Sequence, residues 1–411
     1  VKKIKYLKCS KCGRTYGEDV MYHCPVCGPA GTLDVVYDMN VVSSRLNMEY
    51  LKSNKRMDLW RYMPLLPLEG EDGITPLHVG WTPMYKAARL EKKLNIKNIY
   101  IKDDGRNPTA SFKDRATAVG IAKAIELKKD VICAASTGNA ASSLSGFAAC
   151  MGIKNYIFVP AAAPEAKITQ LLIYGSNVIL VDGTYDEAFD FCLEASNKFG
   201  WYNRSCAINP YLVEGKKTAA FEICEQTGFN VPDKVIMSVG DGCSISGVWK
   251  GFKEFYELGI IDKLPTMVSV QAEGANPVNR AFRRGNRKFD FIPPKTIADS
   301  ISVGIPRNGY KALNALTESS GIAIDVKDEE ILDAMKMLAR YTGVFGEPAG
   351  VTGFAGLIKM VNMELIKESE SVALIVSGNG LKDIKSAMKA VNMPIKIKAD
   401  MNELEKLIKK E

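Results

Sequence analysis

From Asn98 onward the chain alternates short β-branched runs with alanine-rich or amphipathic stretches, and no other feature narrows the fold as far. The apolar runs are Ile99-Tyr100-Ile101, Val131-Ile132-Cys133, Tyr156-Ile157-Phe158-Val159, Val178-Ile179-Leu180-Val181, Val235-Ile236-Met237 and Val372 to Val376. Between them lie Ala116 to Leu127, Ala140 to Met151, Ala166 to Tyr174, Tyr185 to Lys198 and Ser246 to Leu258, each patterned as a helix. Alternation repeated this often predicts an α/β protein whose parallel sheets are covered by helices on both faces. A length of 411 residues divides into two or three units at roughly 150 residues per domain.

Composition excludes several classes. Hydrophobic residues at 46% and charged residues at 25% are those of a chain that folds around real cores, not of a disordered or fibrous one. The net charge of +7 is spread along the chain without a dense basic block, so no nucleic-acid partner is expected and the charge reads as mild attraction for anionic small molecules. Val131 to Ile153 carries no charge, yet six polar side chains (Ser136, Thr137, Asn139, Ser142, Ser143 and Ser145) and three glycines argue against a membrane span. The first residues hold no apolar stretch of signal-peptide length, and a cytoplasmic protein is expected.

Ten cysteines therefore call for an explanation in a reducing compartment. Four form Cys9-x-x-Cys12 and Cys24-x-x-Cys27, with Gly13 and Gly28 just after each pair. Two such knuckles supply four thiolates that can close tetrahedrally on zinc and tie down a segment too short for a core of its own. The alternatives are a redox or disulfide pair and a site that no longer holds metal. Four sulfurs leave no open position, so the zinc expected here is structural. Only two histidines exist, His23 and His78, which points to a lysine or carboxylate as any catalytic base.

In open α/β sheets ligands bind at the carboxyl ends of the strands, and four turns there stand out. After the first strand, Asn107-Pro108-Thr109-Ala110-Ser111-Phe112-Lys113 leads into a helix with Ser111 near its N-cap. Lys113 falls in the first turn, where the positive end of the helix dipole favours a neutral, nucleophilic amine; the plain alternative is a surface lysine beside Asp114. After the second, Ser136-Thr137-Gly138-Asn139 offers backbone N–H groups, two hydroxyls and an amide, either a nest for a carboxylate or an ordinary capped helix. After Ser238 comes Gly240-Asp241-Gly242-Cys243-Ser244, a glycine loop opening a helix and hence a phosphate cradle, although Asp241 must turn away or meet a cation. The fourth turn, Ser377-Gly378-Asn379-Gly380, places a hydroxyl at a strand end. A lysine, a carboxylate nest, a phosphate cradle and a strand-end hydroxyl are what a pyridoxal phosphate site in a parallel sheet requires.

Pro108 to Arg115 (PTASFKDR), Ala134 to Ala140 (AASTGNA), Glu214 to Thr218 (EGKKT), Gly346 to Ala349 (GEPA) and Ser377 to Asp383 (SGNGLKD) together resemble the threonine synthase family, in order, over residues 75 to 395. The resemblance implies a fold type II pyridoxal phosphate enzyme of the tryptophan synthase β kind: two parallel-sheet α/β domains with an N-terminal zinc-ribbon-like segment. It implies Lys113 as the Schiff-base lysine, Asn139 on the cofactor's ring hydroxyl, residues Gly240 to Ser244 on its phosphate and Ser377 on the pyridine nitrogen. Ser136, Thr137 and Gly138 would hold the carboxylate of an amino-acid substrate. A hydroxyl at the ring nitrogen does not keep it protonated, which favours elimination or replacement over transamination. The implied reaction converts O-phospho-L-homoserine and water to L-threonine and phosphate, with Lys113 moving the protons. A homodimer is expected on the same analogy.

The chain departs from the family where substrate phosphate is held. The usual Asn-Ser-x-Asn-Pro-x-Arg is here Cys206-Ala207-Ile208-Asn209-Pro210-Tyr211-Leu212, with Cys206 expected as a buried structural thiol. Either Arg106, Arg115, Lys216 or Arg307 compensates, or the substrate lacks the γ-phosphate and the reaction is elimination or replacement on serine or threonine. A third reading is a non-catalytic binding protein that uses the ribbon for a partner; an intact Lys113 counts against it. The expected domains are a zinc-ribbon-like segment 1–34, an extended arm 35–74 with short helices, a large cofactor domain 75–127 plus 213–395, a small mobile domain 128–212 and a terminal helix within 396–411. Asn402 to Lys410 is patterned as a basic amphipathic helix, docked or solvated.

Overall fold

The computed structural model describes residues 2–19, 22–163 and 165–409. Thirteen strands form three sheets. Strands β1 (Ile4–Cys9), β2 (Thr15–Tyr16) and β3 (Leu33–Tyr37) make a small antiparallel sheet in the order β2-β1-β3. The second sheet uses β4 (Met84–Lys86), β5 (Ile99–Asp103), β10 (Lys234–Ser238), β11 (Thr266–Ala272), β12 (Ile322–Val326) and β13 (Val372–Val376) in the order β12-β11-β10-β13-β5-β4. The third orders β6 (Val131–Ala135), β7 (Lys154–Pro160), β8 (Asn177–Val181) and β9 (Tyr202–Asn203) as β8-β7-β6-β9, all parallel.

All six apolar runs expected as strands are strands. β10 and β13, at the centre of the large sheet, are buried along their whole length, as parallel strands between two helical layers must be. Seven of the thirteen strands among the described residues were not among the expected runs, β11 and β12 of the large sheet among them. β11 reads Thr266-Met-Val-Ser-Val-Gln-Ala272, and its buried Ser269 and Gln271 mask the apolar pattern; both are satisfied by Asn279, through Oδ1 at 2.7 Å and backbone N at 2.8 Å. β12 carries Asp325 one residue before its end, and that carboxylate accepts from Asn276 and Asn279 at 2.7 Å. The large sheet is also mixed, because β4 runs antiparallel to β5 at its edge.

Residues 38–80 hold short helices, Met39–Ser43, Met48–Ser53 and a 3-10 segment Leu59–Leu65, as expected. The arm is packed down more firmly than its composition suggests: Trp60 and Tyr62 are buried, and Arg61 pairs with Glu225 at 2.7 Å. The uncharged stretch 131–153 folds as β6 and the helix Asn139–Met151. Among the described residues no helix is long and apolar enough to cross a membrane. The terminal helix, Met401–Ile408, buries none of its residues and is solvated, not docked; Lys410 lies outside the described residues.

Candidate active site

The turns after β5, β6, β10 and β13 converge on one cleft of about 1150 Å³ between the two larger sheets. Lys113, Ser136, Thr137, Gly138, Asn139, Ser377 and the loop Gly240 to Ser244 all line it. Neither histidine does.

Lys113 opens the helix Lys113–Glu126, and the loop before it is stitched to the turn after β13. Phe112 N donates to Ser377 O at 2.9 Å, and Ser111 forms an antiparallel bridge with Gly378. Ser111 Oγ accepts from Lys113 N at 3.3 Å, so it serves the helix start from one residue before the N-cap, Phe112. Asp114 turns back to Thr109 N at 2.6 Å and closes the loop. Burial first, and the neighbouring charge of Lys216 second, lower the Lys113 amine to about 8. The helix start alone suggested a lowered amine; the structure supplies two further causes.

Gly138 N donates to Ser136 Oγ at 3.2 Å, and the helix begins at Asn139. Asn139 Nδ2 donates to Glu347 Oε1 at 2.6 Å across the cleft. Glu347 stands just before the helix Pro348–Asn362, and burial raises its carboxyl above the usual range. In the glycine loop Gly242 sits at φ +90°, a conformation that L side chains avoid, and a Cβ there would come within 2.8 Å of Asn308 O. Asp241 does turn away: its Oδ1 accepts from Arg307 N at 3.1 Å. The helix Cys243–Glu257 then starts, with its free N–H groups at the cleft.

The four candidate cations separate sharply. Arg115 is wholly buried and spent on Asp104 and Glu222, at 2.6 and 2.5 Å. Arg106 is exposed and outside the cleft lining. Arg307 lines the cleft but pairs with Asp186 at 2.9 Å. Lys216 lines it and has no ion-pair partner among the described residues. Cys206, expected as a buried structural thiol, is half-buried and stands in the cleft wall beside Cys243. Asn308 Nδ2 donates to Cys206 O at 2.7 Å and to Cys243 Sγ at 3.1 Å. Glu347 and Arg204 line the cleft but carried no role in the sequence reading, Glu347 being legible only as part of a motif; Asn308, behind Cys206 and Cys243, carries no local pattern either.

These groups fit pyridoxal phosphate. The chain offers a buried amine of lowered basicity, a glycine loop too close-packed for a side chain at Gly242, and a hydroxyl at the end of β13. At the N-terminal sheet the sulfurs of Cys9, Cys12, Cys24 and Cys27 lie within 4.8 Å of one another. Cys12 and Cys24 Sγ are 3.8 Å apart, close to the edge of a tetrahedron of about 2.3 Å Zn–S bonds. Gly31 admits this closure, since a Cβ there would lie 2.5 Å from that of Cys27. All ten cysteines are unbridged, which leaves the disulfide alternative without support.

The model of the pyridoxal-phosphate dependent enzyme family matches residues 75–378. Threonine synthase of Methanocaldococcus jannaschii is 43% identical over 406 residues, covering 98% of this chain and 99% of that protein. Threonine synthase of Methanosarcina acetivorans is 40% identical over 406 residues, covering 98% of each. Among solved structures, threonine deaminase isoform 2 of Solanum lycopersicum superposes with a TM-score of 0.64 at 23% identity, covering 76% of this chain and 88% of that one. Maize serine racemase does so with 0.64 at 22%, covering 80% and 92%. At these identities the structural likeness speaks for the fold alone.

Proposed function

We propose that this chain, which belongs to the pyridoxal-phosphate dependent enzymes and within them to the threonine synthases, converts O-phospho-L-homoserine and water to L-threonine and phosphate. The observation that carries the reading is identity of 40% or more, end to end, to two proteins named threonine synthase; a cleft lined by Lys113, Asn139, Ser377 and the loop Gly240 to Ser244 supports it.

Pyridoxal phosphate, when bound, supplies an electron-withdrawing ring that stabilises a carbanion at the substrate's α-carbon. Lys113 is the residue that would hold it, with the N–H groups of residues 240–244 at its phosphate and Ser377 Oγ at its ring nitrogen. Asn139 is proposed to orient the ring from the opposite wall, where Glu347 fixes its amide. Ser136, Thr137 and Gly138 bind the substrate carboxylate. Lys113 Nζ takes the α-proton and moves protons at the β-carbon while phosphate departs from the γ-carbon and water adds at the β-carbon. An amine near 8 is suited to both directions of transfer, because neither protonation state is far from accessible at neutral pH.

The sheet β8-β7-β6-β9 and its helices, residues 128–212, form the smaller domain in this reading, and its closure excludes water from the reacting carbons. The four thiols at the N-terminus hold a structural zinc. A homodimer is supported by exposed apolar side chains from Leu381 to Ile408, with Leu381 70% and Met393 76% exposed. The test is product identity: purified enzyme should release phosphate and threonine in equal amounts from O-phospho-L-homoserine. Keto acid from L-serine or L-threonine in place of those products would replace this reading with simple elimination.

A further inference from the structure

Lys216 presents a physical problem that the roles above do not use. It ends the helix Tyr211–Lys216, is 1% exposed, and lines the cleft, yet no carboxylate or carbonyl among the described residues holds its ammonium. A buried charge without a partner is costly, so such an ammonium calls for an anion that arrives from outside. Its side chain leaves beside the first turn of the helix Cys243–Glu257, where a Cβ on Gly247 would lie 2.9 Å from Lys216 Cβ.

A second cation faces the same space. Arg204 is 2% exposed and also lines the cleft without an acidic partner. Its Nε and Nη2 are fixed on Thr117 Oγ1 at 3.0 and 2.6 Å, and Nη2 also reaches Lys113 O at 3.1 Å. Its Nη1 has only a long contact of 4.0 Å to Cys206 Sγ. The two buried acids of the cleft are engaged elsewhere, Asp241 with Arg307 N and Glu347 with Asn139. Cys243 first, then Lys216, Arg204 and Lys113, lower the Cys206 thiol against the effect of burial, which places both cations at one stretch of the cleft wall.

We propose that Lys216 and Arg204 form a subsite for a phosphate dianion beside Cys206, and that the phosphate is the one the substrate carries. The assignment to substrate rests on the reading of the chain as a threonine synthase; the subsite itself does not. Lys216 offers a point charge, and Arg204, already oriented by Thr117, offers its free Nη1.

The test compares holoenzyme of wild type, Lys216→Gln and Lys216→Arg by three readouts: bound pyridoxal phosphate per chain, calorimetric affinity for inorganic phosphate, and KM against kcat for O-phospho-L-homoserine. The expected result is at least a tenfold loss of inorganic phosphate affinity in K216Q, a matching rise in KM larger than any fall in kcat, full cofactor content, and recovery in K216R. Cofactor loss in K216Q with unchanged inorganic phosphate affinity would assign Lys216 to the cofactor's phosphate and overturn the proposal. Unchanged values of all three would overturn the proposal. Should wild type fail to turn over the ester, the functional reading falls, while the phosphate affinities of wild type and K216Q still decide the subsite.

Discussion

Lys113 is where the chemistry of the whole chain is concentrated, and its ionisation can be followed directly. Its amine is lowered from 10.5 to about 8 by burial and then by Lys216, so the neutral form grows as pH rises through 8 and is nearly complete above it. The rate at which apoprotein captures added pyridoxal phosphate should therefore rise from pH 6 to about 8 and then flatten. An ordinary lysine would keep the rise going to about 10.4. Lys216→Met removes a like charge and should move the bend to higher pH. Lys113→Ala should lose the yellow absorbance and at least roughly 10²–10⁴ in turnover. At this scale much of the site was legible: Lys113, Asn139 and Ser377 announce themselves by position after strands. Arg204 did not stand out and Lys216 was one of four candidate cations, because their meaning lies in what surrounds them. Nothing in the string indicates that Arg115 is consumed by Asp104 and Glu222 while Lys216 is left free of acids.

Between residue and fold stand the elements that keep these turns in register. The helix Lys113–Glu126 is anchored through Arg115, which with Asp104, Glu222 and Lys102 forms a wholly buried network joining β5 to the helix Thr218–Gln226. Burial pushes the Glu222 carboxyl up, but Arg115 and Lys102 overcome this and hold it at about 2. A carboxyl lowered in this way stabilises the fold fully above its unfolded value and loses that contribution as pH falls through 2. Urea unfolding should accordingly show no loss from this network between pH 7 and 5. Glu222→Gln leaves Lys102 and Arg115 short of an anion and should cost about 3–5 kcal/mol. Glu405→Gln, in an exposed pair with Lys409, should cost about 0.5 kcal/mol or less. The N-terminal sheet makes a separate prediction. Its segment is tied to both larger domains, through Asp34 of β3 to Lys311 on the helix Gly309–Glu318 at 2.7 Å and through Tyr22 to Asn203 N of β9 at 2.8 Å. One zinc per chain should be found by elemental analysis, and its removal by a chelator should lower the melting temperature. A chain without zinc and indifferent to chelators would contradict the knuckle assignment. The Cys-x-x-Cys spacing was readable at a glance, whereas β11 was hidden by Ser269 and Gln271, polar residues tolerated in a core only because Asn279 satisfies them.

At the scale of the whole molecule, function depends on two sheets meeting around one cleft. The alternation of strands and helices foretold two parallel layers, but not which edge of each would face the other. That follows from pairings distant in sequence, such as Asn139 with Glu347 and Lys167 with Asp299 at 2.5 Å, which no local pattern encodes. If the smaller domain closes on substrate, X-ray scattering should show a smaller radius of gyration when a non-reactive phosphonate analogue of the substrate binds the holoenzyme; an unchanged radius would count against closure. The central claim is the reaction itself, and the most direct measurement follows oxygen from heavy-oxygen water during turnover of O-phospho-L-homoserine. Elimination across carbon followed by addition of water predicts heavy oxygen in the hydroxyl of threonine and none in the phosphate. Heavy oxygen in the phosphate with homoserine as the other product would mean cleavage at phosphorus, and would contradict the account.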